Sequence, residues 1–132
     1  MCVSALDMDV TLRYVVLRHD SIPEPHFDVM FETSPGSPLV TFRSADWPVR
    51  SETRLMRLAE HREAYLDYEG PIAGNRGVVR RVEAGRCIVT LEPDASISVT
   101  LANGTRFGLM QDRVELKSPD AERLKPNDRG SN

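Results

Sequence analysis

Long apolar runs are missing from this chain. No stretch approaches the roughly 18 consecutive apolar residues of a membrane-spanning helix, so none is expected and no membrane partner is implied. Cysteine is scarce. Cys2 lies near one chain end, and Cys87 lies in a strand-like run, Arg86-Cys-Ile-Val-Thr-Leu. The two predict reduced thiols and no disulfide. The lack of any Cys-x-x-Cys pair argues against a zinc–thiolate site. No Gly-x-Ser-x-Gly elbow occurs, which leaves a serine hydrolase poorly supported. Lysine is nearly absent: 15 of the 17 basic residues are arginine, and both lysines, Lys117 and Lys125, fall near the C-terminal end. A net charge of −3 argues against a general electrostatic binder of nucleic acid. The first nine residues carry acids and no basic segment, so no secretory signal is expected and the reading is cytoplasmic.

What is present fits one small globular domain. A chain of 132 residues, 40% hydrophobic and 28% charged, can bury a core without staples. Eight arginines fall between Arg50 and Arg86. Arginine suits bidentate phosphate contact. Acids are interleaved throughout, so a solvated charged face explains the same pattern.

The local patterns predict a mainly β fold. Val10 to Arg18 is rich in β-branched and aromatic residues, and its Tyr-Val-Val-Leu centre suggests burial on both faces. Asp20 to Pro25 reads as a loop with two prolines. His26 to Thr33 alternates, with Phe27, Val29 and Phe31 on one face and His26, Asp28, Met30 and Glu32 on the other. Ser34-Pro-Gly-Ser is a turn, and Leu39 to Arg43 returns as the antiparallel partner. Residues 50–59 suit helix or strand. Glu60 to Tyr68 lacks β-branched residues and predicts a short helix, with His61 and Tyr65 as i, i+4 neighbours. Short strands follow at Val78–Glu83, Arg86–Glu92, Ser96–Leu101, Arg106–Gln111 and Arg113–Leu116. Ala84-Gly85, Pro93-Asp94 and Ala102-Asn103-Gly104 divide them. The spacing predicts a small antiparallel β-barrel with one or two short helices over residues 10–116, as a monomer. Residues 1–9 read as a lead-in and 117–132 as a disordered tail.

One stretch concentrates metal-capable side chains. His19-Asp-Ser-Ile-Pro-Glu-Pro-His26-Phe-Asp28 holds two of the three histidines and a carboxylate two residues after the second. The i, i+2 spacing on a strand sets imidazole and carboxylate side by side. Neutral imidazole and carboxylate oxygen together suit manganese, iron or zinc. Each histidine taken alone is more often an ordinary core or surface histidine, and two of them with an i, i+2 aspartate within ten residues bring the ligand reading level with that one.

His19-Asp20, His26-Phe-Asp28 and His61…Tyr65-Leu-Asp-Tyr-Glu-Gly70 together resemble the 3′-phosphoesterase domain of bacterial and archaeal DNA ligase D. The similarity covers about residues 12–91, and order, spacing and flanking residues agree. A stand-alone bacterial subgroup, described as DNA polymerase/ligase N-terminal-domain-like, is more similar still, with its His-Trp-Asp-x-Met-Leu-Glu and Asp-His-Arg-x-x-Tyr-Leu-Asp-Tyr-Glu-Gly-Pro segments. The resemblance implies a crescent-like β-barrel and a manganese cofactor, with zinc or cobalt as alternatives. It implies DNA or RNA 3′ ends as substrate and DNA repair proteins as partners. It makes His19, His26 and Asp28 metal ligands, and His61 and Tyr65 catalytic groups contacting phosphate.

The chain also departs from the ligase pattern. Met30 stands where the family carries a catalytic arginine, and methionine cannot bind phosphate. The two histidines of the first stretch are seven positions apart rather than six. Arg43, Arg54 and Arg76 are the candidates to supply the missing guanidinium. Three readings follow: a metal-dependent phosphoesterase, a metal- or nucleic-acid-binding barrel without chemistry, and a structural domain without a metal.

Overall fold

A computed structural model describes residues 12–119 of the chain. Nine strands follow one another: β1 Leu12–Asp20, β2 His26–Phe31, β3 Leu39–Ser44, β4 Leu55–His61, β5 Gly70–Pro71, β6 Val78–Leu91, β7 Ile97–Leu101, β8 Thr105–Leu109 and β9 Val114–Pro119. Eight of them form one antiparallel sheet in the order β4-β3-β2-β1-β6-β7-β8-β9, and the short β5 pairs with β6. The sheet curls into a nearly closed barrel. Arg57 of β4 reaches across the seam, its Nη1 donating to the Met110 carbonyl beyond β8 at 2.6 Å.

The alternation in the sequence explains which side chains fill the barrel. Tyr14 and Val16 of β1, Val29 and Phe31 of β2, Val40 and Phe42 of β3, and Val99, Phe107 and Leu109 of the later strands form the main apolar cluster. Phe42 and Phe107 meet from opposite halves of the sheet with ring centroids 4.8 Å apart. The intervening residues of the first strands do not face water. Val15, Leu17, Met30, Leu39, Leu66 and Val79 form a second apolar cluster, with Tyr65 and Ile72 packed against it. The expected two-faced burial of Tyr14 to Leu17 is therefore present, and the cover is the segment between β4 and β6.

That segment differs from expectation. No α-helix occurs among the described residues. β4 runs through His61, and a single 3-10 turn follows over Glu63–Leu66. His61 sits opposite Leu39 in the β3–β4 ladder, and Leu58 sits opposite Thr41. Pairing with an existing strand outweighs the local lack of β-branched residues, because strand preference is largely set by cross-strand packing. A segment this short gains little as a helix, since nucleation is unfavourable. Leu66, buried at the end of the turn, anchors it on the second cluster.

Ala84-Gly85 does not divide two strands. β6 is one strand of 14 residues and pairs with β1 from Cys87↔Leu12 to Val78↔Asp20. A Cβ on Gly85 would lie 3.1 Å from the Tyr14 ring, so this glycine permits a close approach rather than a turn. The Ala102-Asn103-Gly104 hairpin is present, with Gly104 at φ 95°. β9 extends through Pro119, opposite Thr105, so the final strand reaches three residues past Leu116. Residues 117–119 of the expected tail belong to β9, held there by pairing with β8, and the lead-in at 1–9 and residues 120–132 lie outside the described residues.

Candidate metal centre

The β1–β2 hairpin builds the centre. β1 continues to Asp20, so His19 is a ladder residue directly opposite His26. No loop has to fold back to deliver it. Residues 21–25 make the connection, with Ser21 in the left-handed region at φ 64°. Asp28 projects from the same face of β2 as His26, two residues on. One nitrogen from each histidine and one carboxylate oxygen all lie within 4.8 Å of one another.

The free lone pairs of this group can be assigned. His19 Nε2 lies 2.7 Å from the Arg76 carbonyl, and His26 Nδ1 lies 2.9 Å from the Glu24 carbonyl. A backbone carbonyl only accepts, so each of these nitrogens carries the proton. The other nitrogens are left facing the carboxylate: His19 Nδ1 is 3.6 Å from Asp28 Oδ2, and His26 Nε2 is 3.2 Å from Asp28 Oδ1. Histidine held by a carbonyl through one nitrogen and free at the other is the usual arrangement of a metal ligand. Asp28 Oδ1 is buried and has no hydrogen-bond partner among the described residues. An unsatisfied buried carboxylate oxygen is costly unless a cation or donor meets it. The separations of 3.2 and 3.6 Å to Asp28 already fall within the roughly 3–4 Å between ligands of one shared ion. The three residues therefore fit a divalent cation with nitrogen and oxygen ligands.

The other expected residues lie beside this group. His19, Asp28, Met30, His61, Tyr65 and Arg76 share one cavity of about 210 Å³. The His61 and Tyr65 rings meet edge to face at 5.7 Å between centroids, through the strand end and the 3-10 turn rather than along a helix. His61 Nδ1 donates to the Ala59 carbonyl at 3.0 Å, which leaves Nε2 free. Met30, 1% exposed, lines the cavity from within the second apolar cluster. His26 faces a neighbouring hollow of about 170 Å³ with Arg43 and Arg54. Of the three candidate arginines, Arg76 alone lines the cavity of His61 and Tyr65. Its Nε donates to the Ala73 carbonyl at 2.7 Å, leaving the terminal nitrogens for other partners.

Glu32, the last acidic residue of the alternating run, has a structural task. It accepts the backbone N–H of Arg13 at 2.8 Å and of Gly36 at 3.0 Å. It thereby ties β1 to the β2–β3 turn.

Sequence reasoning missed Gly77, which reads as one residue of a tight turn. Its φ is +91°, and a Cβ there would lie 2.5 Å from the Asp20 carbonyl oxygen and 2.8 Å from His19 Nε2. The glycine lets the 72–77 loop approach closely enough for the Arg76 carbonyl to hold His19. The Ile72 N–H to Gly77 carbonyl bond of 2.8 Å closes that loop. A glycine before a strand whose partner carries a candidate ligand is the only available sequence signal.

No family model matches the chain, and no curated protein matches it.

Proposed function

We propose that this protein is a divalent-metal-dependent phosphoesterase acting on nucleic-acid 3′ ends. The observation that carries the reading is the joining of two groups in one cavity. His19 and Asp28, whose Oδ1 has no partner among the described residues, line the same cavity as His61, Tyr65 and Arg76, and His26 meets Asp28 from the neighbouring hollow. The sequence resemblance to the ligase D phosphoesterase domain supports the choice of substrate.

His19 Nδ1, His26 Nε2 and Asp28 would hold the ion, manganese by resemblance with zinc or cobalt as alternatives. The bound ion would polarise a phosphoryl oxygen and make water more acidic. The protein's own residues supply the remaining charge complement. His61 presents Nε2 to the phosphate, and once protonated it donates there. The Tyr65 hydroxyl donates a hydrogen bond to a phosphoryl oxygen. Arg76 offers a planar fork of N–H donors suited to phosphate, in the role Met30 cannot take. Donors placed in advance stabilise charge that builds in the transition state. The apolar floor of Met30 and Val79, backed by the second apolar cluster, lowers the local dielectric and strengthens each contact.

The test is release of phosphate from a primer–template bearing a 3′-phosphate, with manganese, by the full chain. Wild type is expected to turn over and His26→Ala to lose activity. An absence of turnover with every divalent metal tried would sink the reading.

A second reading is a metal- or phosphate-binding barrel that does no chemistry. Met30 favours it, since an apolar side chain fills the strand position two residues beyond Asp28. It predicts metal-dependent stabilisation without hydrolysis.

A further inference from the structure

A larger hollow borders the metal centre. It measures about 400 Å³ against about 210 Å³ for the centre's own cavity, and Tyr65, Ile72 and Arg76 line both. Arg62, Ala64, Tyr68, Pro71 and Ala73 complete its walls, and no acidic residue lines it. The Tyr65 and Tyr68 rings stand edge to face, centroids 5.9 Å apart. Tyr68 is 37% exposed, so part of its ring surface is open to a ligand.

Tyr68 is nevertheless held in place. Its hydroxyl donates to the Pro71 carbonyl. The chain passes close under it at Gly70, where a Cβ would lie 3.1 Å from the hydroxyl oxygen and φ is +136°. A fixed aromatic plane, two guanidinium groups and an apolar wall make a surface for a flat aromatic group attached to an anion. Base stacking on tyrosine is insensitive to base identity, and arginine adds a cation–π contribution. The volume falls at the lower end of the roughly 300–1,000 Å³ of small-ligand sites, enough for one nucleoside rather than several.

We infer that this hollow is the subsite for the terminal nucleoside whose phosphate enters the adjoining cavity of His19, Asp28 and His61, with the base stacked on Tyr68 and flanked by Arg62 and Arg76. The inference rests on the phosphoesterase reading and narrows it. The protein binds the base of the 3′-terminal nucleotide as well as its phosphate.

The test is calorimetric titration of the manganese-loaded full chain with inorganic phosphate and with 2′-deoxyadenosine 3′-monophosphate. Wild type is expected to bind the nucleotide about 10- to 100-fold more tightly than phosphate, the range that stacking of one base supplies. Tyr68→Ala should bring the nucleotide down to the affinity of phosphate. It should leave phosphate binding and the manganese-induced rise in Tm unchanged, which also shows the variant is folded. Tyr68→Phe keeps the ring face and should retain most of the difference. Equal binding of both probes by wild type overturns the subsite while leaving the phosphate cavity standing. So does an equal loss for both probes in Tyr68→Ala. If neither probe binds, the phosphoesterase reading falls together with the subsite.

Discussion

The order of stability of wild type and Asp28→Asn should invert between metal-free and metal-loaded conditions. Asp28 is 5% exposed, and its Oδ1 has no partner among the described residues. His26 Nε2 and His19 Nδ1, at 3.2 and 3.6 Å from the carboxylate, point lone pairs at it rather than protons. Without an ion, acceptors face acceptors. Asparagine replaces one oxygen with a donor and removes the buried charge. One neutral hydrogen bond contributes about 0.5–1.5 kcal/mol net. Asp28→Asn should therefore match or exceed wild type in a chelator by about 1 kcal/mol, a rise in Tm of roughly 3–5 °C for a domain of this size. With manganese at 100 times its dissociation constant, wild type should gain about 2.7 kcal/mol. That corresponds to roughly 8–14 °C. The variant should lose most of that gain. The assay is thermal unfolding by circular dichroism, in chelator and in manganese, for both proteins. The competing account makes Asp28 and a protonated histidine a structural ion pair. Removing one partner of a buried pair typically costs about 3–5 kcal/mol. A metal-free Asp28→Asn destabilised by that much, with a wild type indifferent to manganese, would refute the reasoning.

Three further outcomes follow from the geometry. Gly77→Ala forces a Cβ against the Asp20 carbonyl and the His19 ring in a strained conformation. It should lower stability by about 1–3 kcal/mol, and metal titration should show weakened manganese binding by the fraction that remains folded. Arg76→Ala keeps the backbone carbonyl that holds His19, so the manganese-induced Tm shift should persist while phosphate affinity falls at least about tenfold, as for loss of a charge-assisted bond of about 1.5–3 kcal/mol. Arg76→Lys should restore only part of it. Burial, with the Glu32 charge adding to it, pushes the Cys87 thiol from 9.0 up to about 12. The unfolded chain then ionises first, so this contribution to stability is complete below pH 9 and is lost as pH rises toward 12. Denaturant melts of wild type and Cys87→Ala between pH 8 and 11 should show a smaller alkaline loss for the variant, and equal slopes would contradict the assignment.

Much of the centre was legible along the chain because strand geometry is local. Alternation between His26 and Glu32 placed His26 and Asp28 on one face before any pairing was known, and β2 has that arrangement. Pattern also marked Tyr14 to Leu17 as buried on both sides and Asn103-Gly104 as a hairpin. The failures share a cause. Glu60 to Tyr68 resembled a helix until β3 offered a partner for His61. Ala84-Gly85 resembled a turn until Tyr14 lay across it. Glu32 looked like a fourth member of the polar face until the backbone of Arg13 and Gly36 claimed it.

By itself, then, the sequence determined the mainly β character, the three candidate ligands and the apolar side chain of Met30 beside them, since these depend on residue type and on spacing within one strand. Only the tertiary structure decided that Arg76, rather than Arg43 or Arg54, lines the cavity of His61 and Tyr65. It alone brought the Arg76 carbonyl to His19 across 57 residues, through the gap that Gly77 leaves. Side-chain periodicity carries no information about which distant segment closes over a face. That is settled by strand pairing and by whether the approaching backbone has room for a Cβ.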